Sequence, residues 1–225
     1  MLLVCSANIC RSPTATVLLR RRLNDLGIGE AVTLTSAGTA AASGRPWCHV
    51  ASTWLGSSPD VGSFKGQHAS RRLSQELVQE ADLVLTADRG HRGAVVLLEP
   101  SARAIVFTLA EAAALARVAV KGLHPVGADG RVVNAPRLAP DASVETRLRW
   151  FISELDASRG LIQLGDPPPS AWQRRLGRHP QSSTDIPDPH GTGRGTHKRG
   201  LSLLDAASAS FGTSLEQVVT FTGEA

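Results

Sequence analysis

Apolar and helical segments alternate along the first half of the chain. Short apolar runs predict strands at residues 2–4, 31–36, 83–86 and 104–107. Spaced apolar positions predict helices at residues 13–26, 74–79, 109–120 and 142–155, and a C-terminal helix at 201–207 with a continuation from residue 215. Such alternation is typical of a parallel sheet covered on both faces. We therefore predict an α/β fold with a four-stranded parallel sheet and helices on both faces.

The amino-acid composition changes at residue 122. Glycine, proline and polar residues become frequent up to residue 184, and the pattern at 142–155 is the one helix predicted there. This composition is typical of loops. We predict one domain over residues 1–225, with a loop-rich insertion at about 122–184.

The composition is that of a globular protein, with 225 residues, 42% hydrophobic and 20% charged. No apolar run approaches the ~20 residues that span a bilayer, so we expect a soluble protein with no membrane contact and no signal peptide. The net charge is +4, but the arginines are scattered rather than clustered, which argues against nucleic acid as a partner. Three cysteines are too few for a disulfide framework, and we predict a cytoplasmic location.

The most informative segment follows the first predicted strand. Cys5 and Arg11 enclose a short loop that leads into Pro13 and the first predicted helix. Backbone N–H groups in such a loop can converge on an anion at the helix N-terminus, and the guanidinium can bind two phosphate oxygens. A thiol in that field is expected to act as a nucleophile. Asn8 can adopt the left-handed backbone that such a loop needs. The predicted phosphate-binding residues are Ser6, Ala7, Asn8, Ile9, Cys10, Arg11 and Ser12.

Residues 4–13 closely resemble the signature of the low-molecular-weight protein tyrosine phosphatases, and residues 35–39, 68–71 and 185–191 resemble further segments of that family in the same order. The resemblance implies the family's fold and hydrolysis of phosphate monoesters, with phosphotyrosine proteins as substrates, through a phosphocysteine on Cys5. It implies that Arg11 binds the phosphate and that Asp188, in the Asp-Pro loop after the insertion, is the general acid. It also implies a supporting network beneath the loop, formed by Asn8, Ser12, Ser36 and His68.

No cofactor or metal ion is expected, because Arg11 and the loop amides can neutralise a phosphate dianion. The expected partners are a phosphorylated protein or a small phosphoester, with inorganic phosphate as the product. The other histidines show no metal-binding spacing and are predicted to be surface or loop residues: His49, His91, His124, His179, His190 and His197.

Two departures from the family pattern bear on the substrate. Ala7 stands where the family usually has glycine, so the loop uses ordinary backbone angles there or is strained. The aromatic residues that usually follow the Asp-Pro pair are missing, and the chain contains no tyrosine. Trp47 or Trp54 could flank a substrate ring instead, with core packing as the alternative. A preference for phosphoesters other than phosphotyrosine therefore stays open.

Several alternatives remain open on the residues alone. Cys5 could be a buried structural thiol, and Asp188 could belong to an ordinary turn near a second carboxylate, Asp185. Cys10 could trap an oxidised Cys5 as a disulfide, which would make the protein redox-sensitive, or could be a small apolar wall residue. Two other functions compete with the phosphatase: arsenate reduction with an external thiol, and a non-catalytic phosphoprotein-binding module.

Overall fold

The computed structural model describes residues 1–123, 138–161, 184–188 and 194–222. Four parallel strands form one sheet in the order β2-β1-β3-β4, which confirms the predicted fold class. Within the described residues, no helix is both long and apolar enough to cross a bilayer. The strands are β1 (Leu2–Cys5), β2 (Thr35–Gly38), β3 (Val84–Thr86) and β4 (Val106–Thr108).

Helices cover both faces of this sheet. The helices are α1 (Arg11–Asp25), α2 (His49–Trp54), α3 (Pro59–Gln67), α4 (Gln75–Gln79), α5 (Arg89–Leu98), α6 (Leu109–Ala119), α7 (Val144–Ala157) and α8 (Arg194–Val219), with 3-10 turns at Pro100–Ala104 and Val120–Leu123. Helices α2, α3 and α5 were not predicted from the sequence. They contain glycine, histidine or proline, which have low helix propensity, and they bury few apolar residues.

The core divides into two layers because successive strand residues point to opposite faces. Leu3 and Leu85 belong to the cluster that packs under α1, α6, α7 and α8. Their neighbours Leu2, Val4 and Val84 belong to the cluster that packs under α4 and α5. All four residues of β1 are buried, as expected for a central strand of a parallel sheet.

Two predicted strands begin earlier than the structure allows. Strand β2 begins at Thr35 rather than at residue 31, because its register pairs Thr35 with Leu2 and leaves earlier residues without a partner in β1. Strand β4 begins at Val106 rather than at residue 104, because Pro100–Ala104 closes a 3-10 turn. Apolar content predicted these strands, but neighbouring backbone decides where pairing starts.

The prediction of a short C-terminal helix was wrong, since α8 runs unbroken from Arg194 to Val219. A buried stripe continues through it at helical spacing and is formed by Leu201, Leu204, Ser208, Phe211, Leu215 and Val218. Most residues between 206 and 214 are small, so the apolar periodicity of the stripe is weak in the sequence. At Gly212, a Cβ atom would lie 3.1 Å from the Arg22 side chain, so a small residue permits the close approach of α1.

The helix predicted at 142–155 is confirmed as α7. Phe151 and Leu155 are buried in the main core, and Phe151 packs against Phe211 with ring centroids 5.5 Å apart. The buried Arg147 guanidinium donates to the carbonyl oxygens of Val218 and Phe221, 2.9 Å from each. Residues 124–137 and 162–183 of the predicted insertion lie outside the described residues. The loop-rich insertion at about 122–184 therefore stays a prediction.

Candidate active site

The Cys5–Arg11 loop lies at the carboxyl end of β1, between β1 and α1. In the order β2-β1-β3, this is the point where the strand order reverses, and ligands of open α/β sheets bind there. Asn8 has φ of 54° and is the one non-glycine residue with positive φ in the described part of the chain. Ala7 therefore uses ordinary backbone angles, and Asn8 makes the left-handed turn that the sequence led us to expect.

The loop approaches the end of β2 very closely. A Cβ atom at Gly38 would lie 2.5 Å from the Ser6 carbonyl oxygen and 2.8 Å from the Asn8 nitrogen. Only glycine fits at such a distance from backbone. No backbone hydrogen bond among the described residues takes its donor from the N–H groups of residues 6–10. Those groups are available to an anion at the start of α1.

The Asn8 side chain ties the loop to its surroundings from beneath. Its Nδ2 donates to Ser12 Oγ at 3.0 Å and to Ser36 Oγ at 2.9 Å. Its Oδ1 accepts from the Arg71 backbone N–H at 2.9 Å. His68 Nε2 lies 2.8 Å from the Asn8 carbonyl oxygen and must be the donor, because a carbonyl only accepts. The structure thus brings together the four residues of the predicted network and adds Arg71, which sequence reasoning missed.

Cys5 lies at the floor of the loop with Sγ 3.1 Å from Ser12 Oγ. The Ser12 hydroxyl can donate to this sulfur while it accepts from Asn8, because a hydroxyl has one donor and two acceptor positions. Burial lowers the pKa of His68, which keeps the ring neutral beneath the loop. The network therefore presents a hydroxyl donor, rather than a second cation, to the Cys5 thiol.

The Arg11 guanidinium is buried, with 4% of the residue exposed, and four groups accept its hydrogen bonds. Nη1 donates to Asp88 Oδ2 at 3.0 Å and to the Ile186 carbonyl oxygen at 3.1 Å. Nη2 donates to Ser6 Oγ at 2.9 Å and to Asp188 Oδ2 at 2.7 Å. These contacts fix the plane of the guanidinium at the mouth of the loop, as bidentate binding of phosphate requires.

Asp88 and His91 belong to this site, although the sequence analysis did not select them. Asp88 caps the start of α5, and its Oδ1 accepts the His91 N–H at 2.9 Å. Burial alone would raise the pKa of Asp88, but the hydrogen bonds from His91 and the nearby Arg11 charge outweigh it and hold that pKa at about 2. Its position in the sequence could have identified Asp88, which comes two residues after the buried strand β3, at the edge of the sheet where the loop lies.

His91 is buried, with 6% exposed, so its prediction as a surface or loop residue was wrong. Its Nε2 lies 2.8 Å from Ser6 Oγ, and its Nδ1 lies 2.9 Å from Asp88 Oδ1. His91 lies in the first turn of α5, which places its ring against the loop. The His91 ring thus lies between the Asp88 carboxylate and the Ser6 hydroxyl that also contacts Arg11, and the backbone N–H of His91 forms the hydrogen bond to Asp88.

The two carboxylates of the Asp-Pro segment have different surroundings. Asp188 is exposed and reaches Arg11. Asp185 is half-buried and accepts the Arg89 backbone N–H at 3.0 Å, with its other oxygen 3.5 Å from Arg89 Nε. Asp185 therefore anchors the segment to α5, and Ile186 reinforces the attachment by donating its N–H to the Ala87 carbonyl oxygen at 2.8 Å. This attachment leaves Asp188 at the mouth of the loop.

Comparison with known proteins agrees with this geometry. The family model for low molecular weight phosphotyrosine protein phosphatases matches residues 1–122, more than half of the chain. The chain belongs to this family. A low molecular weight protein-tyrosine-phosphatase of Streptomyces coelicolor is 35% identical over 106 residues, which cover 44% of this chain and 59% of that protein. Salmonella typhi Wzb, of the same description, is 34% identical over 107 residues, 48% of this chain and 66% of Wzb.

A solved structure of Vibrio vulnificus Wzb in complex with benzylphosphonate has the same fold, with a TM-score of 0.53 and 20% identity. The similarity covers 94% of this chain and 95% of that one. In sequence, the chain spans only about three fifths to two thirds of the length of the two curated relatives. The sequence match therefore concentrates on the half that contains the loop.

Cys10, the second thiol of the Cys5–Arg11 loop, has a different environment from Cys5. Its Sγ lies 3.4 Å from His197 Nε2, and Cys48 Sγ lies 3.6 Å from the same nitrogen. The hydrogen bond that Cys10 donates to Cys48 raises the pKa of Cys10, as does burial, and lowers the pKa of Cys48 to about 5. His197 is buried, so its prediction as a surface or loop residue was also wrong. A disulfide between Cys5 and Cys10 stays a prediction.

Trp47 is a core residue rather than a wall for a substrate ring. It is 3% exposed, its Nε1 donates to Thr14 Oγ1 at 3.1 Å, and its ring meets Phe64 edge-on at 5.1 Å. Trp54 is partly buried against the same apolar cluster. His49 is exposed, as predicted, whereas His124, His179 and His190 lie outside the described residues.

Proposed function

We propose that this protein is a cysteine-dependent phosphatase that hydrolyses phosphate monoesters through a phosphocysteine on Cys5. The observation that carries the proposal is the convergence of Cys5, Arg11 and Asp188, although Asp188 is 177 residues from Arg11 in the sequence. Thiol, phosphate-binding cation and carboxylic acid are the three groups that thiol-based phosphoryl transfer needs. The residues assigned to the phosphate cradle are Ser6, Ala7, Asn8, Ile9, Cys10, Arg11 and Ser12.

In the first step, Cys5 Sγ attacks phosphorus in line with the ester oxygen, so that an S–P bond forms as the P–O bond breaks. The loop N–H groups and Arg11 stabilise the charge on the three equatorial oxygens. Asp188, in its acid form, donates a proton to the leaving oxygen. The alcohol or phenol departs, and phosphate remains on sulfur.

In the second step, a water molecule attacks phosphorus while the Asp188 carboxylate accepts its proton. The S–P bond breaks, and inorganic phosphate leaves. The Ser12 hydroxyl, 3.1 Å from Cys5 Sγ, donates to the departing thiolate and makes it a better leaving group. One carboxylate thus acts as acid and then as base.

Substrate binding must change the partners of Arg11. Its Nη2 donates to Asp188 and Ser6 in the free protein, and a phosphate dianion competes for the same N–H groups. The exchange releases the Asp188 carboxyl beside the ester oxygen, where it can take and give a proton. Arg11 keeps its orientation during the exchange because Asp88 and Ile186 hold Nη1.

Phosphorylated tyrosine in proteins is the substrate class that we propose for this site. The support is the family to which the chain belongs and the names of its curated relatives. A cytoplasmic location is the matching proposal, because a nucleophilic thiol requires reducing surroundings.

Hydrolysis of para-nitrophenyl phosphate by the wild type, Cys5→Ser and Asp188→Asn tests the proposal. We expect turnover by the wild type, none attributable to the enzyme in Cys5→Ser, and a phosphorylated Cys5 peptide after rapid acid quenching. Wild-type turnover no greater than that of Cys5→Ser would refute catalysis and favour a phosphoprotein-binding module. Arsenate-dependent consumption of an added thiol without ester hydrolysis would favour arsenate reduction. A competition assay with phosphotyrosine and phosphoserine peptides then measures the ratio of their kcat/KM values.

A further inference from the structure

A second cluster of reactive side chains lies behind the phosphate-binding loop. Its members come from three elements: Cys10 ends the loop, Cys48 precedes α2, and His197 is in the first turn of α8. The two sulfur atoms and one imidazole nitrogen lie within 4.8 Å of one another. We propose that Cys10, Cys48 and His197 bind a Zn²⁺ ion that fixes the start of α8 to the phosphate-binding loop.

The distances fit a tetrahedral zinc site. With Zn–S and Zn–N bonds of about 2.3 and 2.0–2.1 Å, sulfur and nitrogen ligands of one ion lie about 3.6 Å apart. The observed distances from His197 Nε2 are 3.4 Å to Cys10 Sγ and 3.6 Å to Cys48 Sγ. Two sulfurs of one ion lie about 3.8 Å apart, which small side-chain rotations of Cys10 and Cys48 can reach.

A single hydrogen bond at His197 Nε2 does not account for both of its sulfur contacts. A neutral imidazole nitrogen either donates one proton or accepts one, so His197 Nε2 can form one strong hydrogen bond. Two thiols nevertheless converge on that atom at similar distances. A metal ion satisfies all three atoms at once, because each offers a lone pair to the same point.

The surroundings favour a soft cation with thiolate and imidazole ligands. Cys10 and His197 are 2% and 7% exposed, and the apolar cluster around them includes Val17, Trp47 and Leu201. Zn²⁺ prefers sulfur and nitrogen ligands, whereas Mg²⁺ and Ca²⁺ require oxygen. Cys48 is only partly buried, which provides an entry path and room for a water molecule as the fourth ligand.

The proposed site is coupled to the candidate active site through the backbone. The Cys48 N–H donates to the Ile9 carbonyl oxygen at 2.6 Å, and Cys10 is the residue from which α1 starts. His197 follows Asp188 by nine residues. Bound zinc would therefore restrain the loop and the beginning of the helix that follows the Asp188 segment, independently of whether Cys5 transfers phosphate.

Metal analysis of the reduced, full-length chain tests the site directly. We expect about one equivalent of Zn²⁺ per chain after equilibration with zinc and removal of free metal. After the zinc is replaced by Co²⁺, we expect the thiolate-to-cobalt charge-transfer absorption and the visible bands of a tetrahedral site. These readouts do not depend on phosphatase activity, so they separate this proposal from the proposed function.

Cys48→Ser and His197→Gln are the test variants, and His49→Gln is the matched control because His49 is exposed beside Cys48. We expect the first two variants to lose zinc affinity by at least about 100-fold and the control to retain it. Circular dichroism checks that each variant is folded, and His197→Gln serves if Cys48→Ser does not fold. Unchanged zinc affinity in both variants, or no cobalt spectrum in the reduced wild type, would overturn the proposal. So would a Cys10–Cys48 disulfide that accounts for both thiols while the reduced protein binds no metal.

Discussion

Cys5 and Cys10 are two thiols of one short loop, but the structure gives them opposite surroundings. Cys5 Sγ faces the Ser12 hydroxyl at the end of β1, beneath N–H groups that have no acceptor among the described residues. Cys10 Sγ faces Cys48 and His197 within an apolar cluster. The roles that we propose for the same residue type therefore differ: phosphoryl transfer at one end of the loop and metal binding at the other. Neighbouring side chains, rather than the thiol itself, set its chemistry.

The largest expected effect separates the two thiols by activity. Cys5→Ser should lower kcat for para-nitrophenyl phosphate by on the order of 10⁴-fold or more, because a hydroxyl in the same place is a far weaker nucleophile at neutral pH. Steady-state kinetics measure the loss. Cys48→Ser removes a thiol from the other cluster and should keep most of the turnover. Similar losses in the two variants would contradict the division of roles between the two ends of the loop.

Asp188→Asn should lower kcat by about 10²–10⁴-fold, because it removes the proton donor for the leaving group. The loss should be smaller for aryl esters whose phenolate leaves without protonation, and a series of substituted phenyl phosphates measures this dependence. Asp185→Asn is the matched control, since Asp185 contacts Arg89 rather than Arg11. An equal loss of kcat in both variants would mean that the substitutions displace the Asp-Pro segment, and that proton transfer from Asp188 is not the cause.

Asn8→Ala tests whether one side chain holds the two ends of the loop in place. It removes hydrogen bonds to Ser12, Ser36 and Arg71 and puts alanine at a φ of 54°. We expect the free energy of unfolding to fall by about 3–5 kcal/mol, measured by urea denaturation. Asn24→Ala, on an exposed part of α1, should change it by less than about 0.5 kcal/mol. If Asn8→Ala also lowered the free energy of unfolding by less than about 0.5 kcal/mol, the network would contribute little to stability.

The smallest expected effect is the pH dependence that Asp88 contributes to stability. Its folded pKa of about 2 lies below the ordinary value of 3.8, so its stabilisation is fully present above about pH 4 and is lost as the pH falls toward 2. Because a quarter of the side chain is exposed, the contribution should be about 1 kcal/mol. The stability difference between wild type and Asp88→Asn should therefore shrink across that range in denaturation at several pH values. A constant difference would contradict the effect of the Arg11 and His91 contacts on the pKa of Asp88.

Local sequence patterns predicted much of the active end of the molecule. The position of the loop after β1, the first helix and the left-handed backbone at Asn8 follow from residues that are close in sequence, and the structure contains each of them. The strand starts, the continuity of α8 and the burial of His91 and His197 were predicted wrongly. The start of β4 is set by the 3-10 turn just before it. The other features depend on contacts with distant parts of the chain, which a local pattern does not contain.

The sequence by itself determined the thiol, the phosphate-binding loop and the alternation of strands and helices, because those features are encoded within a few neighbouring residues. Only the tertiary structure decided that Asp88 shares Arg11 with Asp188 and that His197 faces Cys10. Asp188 and His197 reach the loop from more than 170 residues away. Their position depends on the parallel sheet, whose crossovers bring distant segments to the carboxyl end of β1, and on the long stripe of α8 that packs against α1 and α6.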